Sequence, residues 1–163
     1  MMKFRFNLIK NTMKTLEKFL EKNKACEDGY LFAKDLTLEQ FLNTCERGDW
    51  ILWLFKRTNP KDLRAITLAK GHCAATVLHL MKDERSKAAV QAAIDFGENK
   101  INREELYAAT VAIYPPLYCQ SIFWFVAANA TADAAYAKKK NQKETADICR
   151  KYLPLSIWNT NLI

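Results

Sequence analysis

Apolar positions recur at helical spacing along most of the chain. Met13, Leu16, Phe19 and Leu20 form one stripe, which predicts a helix from near Thr12 to Lys22. In "TLEQFLNTC", Thr37 suits an N-cap and Gln40 the reciprocal position of a capping box, so Leu38, Phe41 and Leu42 face inward. Gly48 then suits a stop, because glycine enters the left-handed conformation that most residues avoid.

The stretch "CERGDWILWLF" follows the same logic. Asp49 precedes an apolar run and suits an N-cap that accepts from unpaired backbone N–H groups. Trp50, Trp53 and Leu54 share a face, and Ile51 and Phe55 widen it. The spacing predicts a central helix over 50–55 with both tryptophans in the core. Cys45, Glu46 and Arg47 fall at the end and turn before it.

A further helix is predicted to start at Asn59 as cap and Pro60 as first residue, with Leu63, Ile66, Cys73, Val77 and Leu80 along one stripe. Gly71 inside it points to a close-packed neighbour. Ser86 suits the next start, Val90, Ala93 and Ile94 its apolar face, and Gly97 its end. Asn102 with Glu105 makes another capping start. Pro115 and Pro116 end that helix; Leu117 to Lys139 reads as the longest, and Asn141 to Leu153 as the last, stopped by Pro154. The expectation is an all-α, compact, single-domain bundle of six or seven helices with Ala-rich packing in the C-terminal half. Its parts are a basic N-terminal segment and first helix (1–24), a helical domain (25–153), and an extended tail with an apolar anchor (154–163).

Composition agrees. A chain of 163 residues buries roughly 70% of the surface that it would expose unfolded, enough for a core without staples. With 50% apolar and 26% charged residues the balance is globular rather than disordered. Five cysteines, at 26, 45, 73, 119 and 149, form no CxxC pair, and no leader pattern opens the chain, which favours a reduced, cytoplasmic setting. Residues 106–132 carry no charge and are long enough to span a bilayer. The proline pair and Gln120, Ser121 and Asn129 favour two buried helices joined at Pro-Pro, so no membrane partner is expected.

Candidate chemistry is sparse. His72 and His79 stand seven apart, about 10 Å along a straight helix, too far to share one ion. Cys73 adjoins His72, but neighbouring helical side chains diverge. Cys45 near Arg47 could gain thiolate character, yet no base or oxyanion pocket accompanies it. The acid pairs Asp83-Glu84 and Glu104-Glu105 diverge likewise, and four isolated glycines make no phosphate loop. The pattern therefore assigns no catalytic residue, cofactor or metal. Charge is more informative. The net charge is +7, and residues 1–24 hold seven basic and two acidic side chains. A second run, "KKKNQK", places Lys138, Lys139, Lys140 and Lys143 as candidate partner-binding residues. A solvated face, an acidic protein partner and a nucleic acid are the competing readings of these runs; no aromatic-interleaved nucleic-acid motif accompanies them.

"CERGDWILWL", the "R…LAKGHCA" region, "KDERSKAAVQAA" and "ATADAAYAKK" together resemble immunity proteins of bacterial polymorphic-toxin systems, which also occur in phages and prophages. The resemblance covers most of residues 25–153 and is most distinctive at Cys45, Arg47, Gly48, Asp49, Trp50 and Trp53. It implies an all-helical cytoplasmic protein, not an enzyme, that binds and neutralises a toxin or a defence effector. "YPPLYCQSIFWFVAANAT" departs from the family's small-residue run, which implies a different binding face or partner. A basic helical protein associated with nucleic acid is the alternative, and a small helical enzyme of unknown reaction the third.

Overall fold

The computed structural model describes residues 16–111 and 135–160, with side chains at 135–138 outside the description. Eight α-helical segments and no strand occur among the described residues, so the chain is all-α as the pattern predicts. We label them α1 (16–22), α2 (Glu27–Ala33), α3 (Leu38–Thr44), α4 (Gly48–Thr58), α5 (Leu63–Ala75), α6 (Glu84–Gly97), α7 (Arg103–Val111) and α8 (Ala135–Tyr152). The seven residues of α2 have no counterpart in the apolar pattern; two acids, Glu27 and Asp28, in its first turn favour it through the helix dipole.

Helix α4 is central, as expected. It packs against α8 and α5, and α5 in turn lies along α6. Its fully buried side chains are Ile51, Leu54, Phe55 and Thr58, joined in one core by Leu16, Phe41, Ile66, Ala69, Ala146 and Cys149. Gly71 is the contact point that its position suggested: a Cβ there would stand 2.9 Å from the Ile94 side chain and 3.1 Å from its backbone nitrogen.

Several boundaries differ from the pattern, each for a local reason. Helix α5 is capped by Asp62, which accepts from the Ala65 N–H at 3.1 Å, not by Asn59. Asn59 instead terminates α4 and ties down the tail: its Nδ2 donates to the Ile157 carbonyl at 2.7 Å, and its Oδ1 accepts from the Asn159 N–H at 3.1 Å. The α5 stripe stops early, where Thr76 turns its hydroxyl onto the Cys73 carbonyl at 2.8 Å. Leu80 falls on a short 3-10 turn, Leu78–Leu80, and is exposed. Asp83 rather than Ser86 begins α6 by accepting from the Arg85 N–H. Helix α8 runs through Asn141 without a break, and the Asn141 side chain donates to the Thr76 hydroxyl at 3.0 Å.

The tail is not extended: Leu155–Ile157 forms a second 3-10 turn. Its apolar anchor is Trp158, which stands edge-on to Phe55 at 5.0 Å and donates its Nε1–H to the Leu153 carbonyl at 2.9 Å. The Pro-Pro joint, Cys119 and most of the expected 117–139 helix lie outside the described residues. Among the described residues no helix is long and apolar enough to cross a membrane.

Candidate functional site

The link between α3 and α4 shapes the most distinctive surface. Thr37 and Gln40 form the expected reciprocal capping box and start α3. The helix ends at Cys45, whose backbone is extended, so Gly48 is not its stop. No described glycine has a positive φ. Gly48 opens α4 instead, and a Cβ on it would lie 2.7 Å from both the carbonyl carbon and the Oγ1 of Thr145. Glycine is used here for the approach of α8, not for a left-handed turn.

Asp49 is not an N-cap either. Arg47 holds that position and makes no side-chain cap. The Asp49 carboxylate lies one residue inside the helix and accepts from Arg47 Nε at 2.8 Å and Nη2 at 2.6 Å. Its charge still favours the first turn through the helix dipole. The fork geometry holds the Arg47 guanidinium 4.5 Å over the Trp50 ring.

Neither tryptophan of the motif is buried in the core. Trp50 and Trp53 are half-buried, three apart on the face of α4 turned away from Ile51 and Phe55. Arg57 stacks 3.9 Å over Trp53. Together with Leu20, Cys26, Gly29, Ala33 and Phe41, the two indoles line a groove of about 240 Å³ between α1, α2 and α4. Gly29 keeps it open, since a Cβ there would stand 3.1 Å from the Cys26 sulfur and 3.7 Å from the Trp50 ring. At the rim Phe32 approaches Trp50 at 5.7 Å and Phe41 at 6.1 Å, and Leu31 and Phe32 are exposed. Tyr30 on the same helix directs its hydroxyl to Glu21 at 3.1 Å and Glu17 at 3.3 Å; the bond to Glu21 is the main reason its pKa is pushed up to about 12.

Two of the buried thiols, Cys45 and Cys149, are poor nucleophiles. Cys45 is buried and donates to the Arg47 carbonyl at 3.4 Å; burial pushes its pKa up to about 11 despite the nearby arginines. Cys149 lies 3.8 Å from Cys73, and that contact, with burial, pushes its thiol up further. His72 stacks on Tyr152 at 4.1 Å, its Nε2 buried without a described hydrogen-bond partner, and burial lowers its pKa. His79 lies apart on the exposed turn. No three metal-ligating side chains converge among the described residues.

On α8, Lys139, Lys140 and Lys143 are exposed around an open depression of about 890 Å³. Glu46, Glu144 and Asp147 share that surface, so it is of mixed sign rather than a uniform basic strip. Lys138 lies outside the described side chains, as does any meeting of this face with residues 1–15. Arg150, which the sequence did not single out, holds the two surfaces together. It donates to the Leu42 carbonyl at 2.6 Å and to the Cys45 carbonyl, closing the end of α3 from 105 residues away. No short-range pattern could have revealed it.

The chain matches no family model, no curated protein and no solved structure.

Proposed function

We propose that this chain is a non-enzymatic inhibitor that acts by binding another protein, as a toxin immunity protein or a modulator of phage or host defence. The observation that carries the reading is the Trp50–Trp53 groove. Two half-buried indoles, each with an arginine stacked on it, and Phe32 beside Trp50, have the composition of energetic centres in protein interfaces. At about 240 Å³ the groove is smaller than the roughly 300–1,000 Å³ of ordinary small-molecule sites, and suits one or two apolar side chains of a partner. The resemblance to toxin immunity proteins, strongest at Arg47, Gly48, Asp49, Trp50 and Trp53, supports the same reading. The raised Cys45 and Cys149 thiols add weight to a binding role over a thiol-based reaction.

The test is affinity capture from the native host, followed by an activity assay on the captured protein. The expected result is a specific protein whose activity falls when this chain is added. Trp53→Ala should weaken capture far more than it lowers unfolding free energy. Charge reversal at the exposed Lys139, Lys140 and Lys143 should slow association with little loss of stability, because exposed charges act on encounter rate. Failure to capture any specific protein at low and moderate salt, with no inhibition of candidate toxins or defence enzymes, would overturn the reading.

A further inference from the structure

We propose that Cys73 and Cys149 form a redox-active dithiol, which a hydroperoxide converts to an intrachain disulfide that fastens α5 to α8. Neither residue lines the Trp50–Trp53 groove, so the inference does not depend on the inhibitor reading.

The pairing is a product of the fold. Cys73 lies in the last turn of α5 and Cys149 in the last turn of α8, 76 residues apart, yet their sulfurs stand 3.8 Å from each other. They meet at the junction of α4, α5 and α8. Cys73 Sγ also reaches the Thr145 carbonyl at 3.7 Å, and Cys149 Sγ the Gly48 carbonyl at 3.6 Å. Gly48 and Thr145 are themselves packed backbone against backbone, which holds the two sulfurs in place. Cys45, the third buried thiol, turns away to the Arg47 carbonyl at 3.4 Å.

A single buried cysteine packs as a small apolar residue and calls for no partner of its own kind. Two of them in contact, on different helices, are also the arrangement from which a disulfide forms. The sulfurs have to approach by about 1.8 Å, a distance within the sweep of side-chain rotation.

The order of events follows from access. Cys73 is 7% exposed and Cys149 0%, so a small hydroperoxide meets Cys73 first. With hydrogen peroxide, the Cys73 sulfur takes one oxygen: the S–O bond forms, the O–O bond breaks, and the thiol proton leaves with the other oxygen as water. Cys149 then attacks the resulting sulfenic acid. The S–S bond forms, the S–O bond breaks, and the Cys149 proton passes to the departing hydroxide as a second water. Two thiols have given up two protons and two electrons, and one peroxide has become two waters. Burial and the contact with Cys73 hold the Cys149 thiol protonated, which disfavours turnover as a catalyst. A single stoichiometric closure between groups already in contact is a lesser demand.

The test treats the folded, full-length chain with hydrogen peroxide, alkylates the remaining thiols with N-ethylmaleimide in urea, and maps the peptides by mass. The expected result is a linked Cys73–Cys149 pair with Cys45 alkylated, formed at least about tenfold faster than any other pairing because contact replaces diffusion. The oxidised chain should melt about 5–15 °C higher, since the bond closes a long loop, and dithiothreitol should reverse the shift. In Cys149→Ala, dimedone should trap the sulfenic acid at Cys73; in Cys73→Ala, Cys149 should stay reduced at the same dose. Circular dichroism shows whether the variants fold, and if either does not, the linked pair and the melting shift of the unsubstituted chain decide. A linked pair that is absent, that forms only when the chain is oxidised in urea, or that is matched by pairings with Cys26, Cys45 or Cys119 overturns the inference. A linked pair without a rise in melting temperature overturns the fastening of α5 to α8.

Discussion

Gly48 and Thr145 touch backbone to backbone, so closely that a single added methyl at Gly48 would come within 2.7 Å of the Thr145 carbonyl carbon. This contact seats the start of α4 on the middle of α8. Gly48→Ala is expected to cost about 1–3 kcal/mol by overpacking, since backbone cannot move aside as a side chain can. Thr145→Gly in the same chain should recover part of the loss by removing Oγ1 and Cβ, but not all of it. Urea unfolding of the two single variants and the double variant measures both effects.

The two indoles at Trp158 and Trp53 should behave oppositely. Trp158 is only 5% exposed and packs edge-on against the fully buried Phe55. Trp158→Ala is expected to cost about 3–5 kcal/mol. Trp53 is half-buried under Arg57, and its loss should cost about 1–2 kcal/mol. Equal costs in denaturant titrations would place Trp53 in the core after all.

Asp49 works through Arg47, not through a cap. Both side chains are more than a third exposed, so Asp49→Ala should cost only about 0.2–1 kcal/mol. Asn, which restores an N-cap, should not restore a charge pair, so Asp49→Asn should be no more stable than Asp49→Ala. The loss should shrink at high salt. Full recovery by Asn, read in the same unfolding assay, would return Asp49 to the capping role.

His72 makes stability depend on pH. Burial holds its pKa below the ordinary 6.5, against the raising field of Glu98 and with the lowering field of Lys151. The unfolded chain therefore takes up this proton first as pH falls. The contribution of the neutral, Tyr152-stacked imidazole is complete above about 6.5 and is lost progressively below it. His72→Phe should flatten that part of the profile. Denaturation midpoints between roughly pH 4 and 8 check it; an unchanged slope in the variant would assign the dependence elsewhere.

What the sequence determined by itself is what depends on neighbours a few residues away. The capping boxes Thr37–Gln40 and Asn102–Glu105 form as their spacing requires, because each closes within one turn. The helical stripes and the central place of α4 follow from apolar periodicity, and Gly71 marks a close neighbour because glycine inside a helix otherwise costs stability. The tertiary structure decided which side of an apolar helix faces inward. Ile51 and Phe55 are wholly buried in the core and Leu54 is buried beneath the groove, leaving Trp50 and Trp53 half-buried at its surface, a choice that an all-round apolar run cannot express. It also decided the roles of Gly48, Asn59 and Arg150. Their partners, Thr145, Ile157 and the carbonyls of Leu42 and Cys45, are about a hundred residues away, and only packing brings such groups within bonding distance.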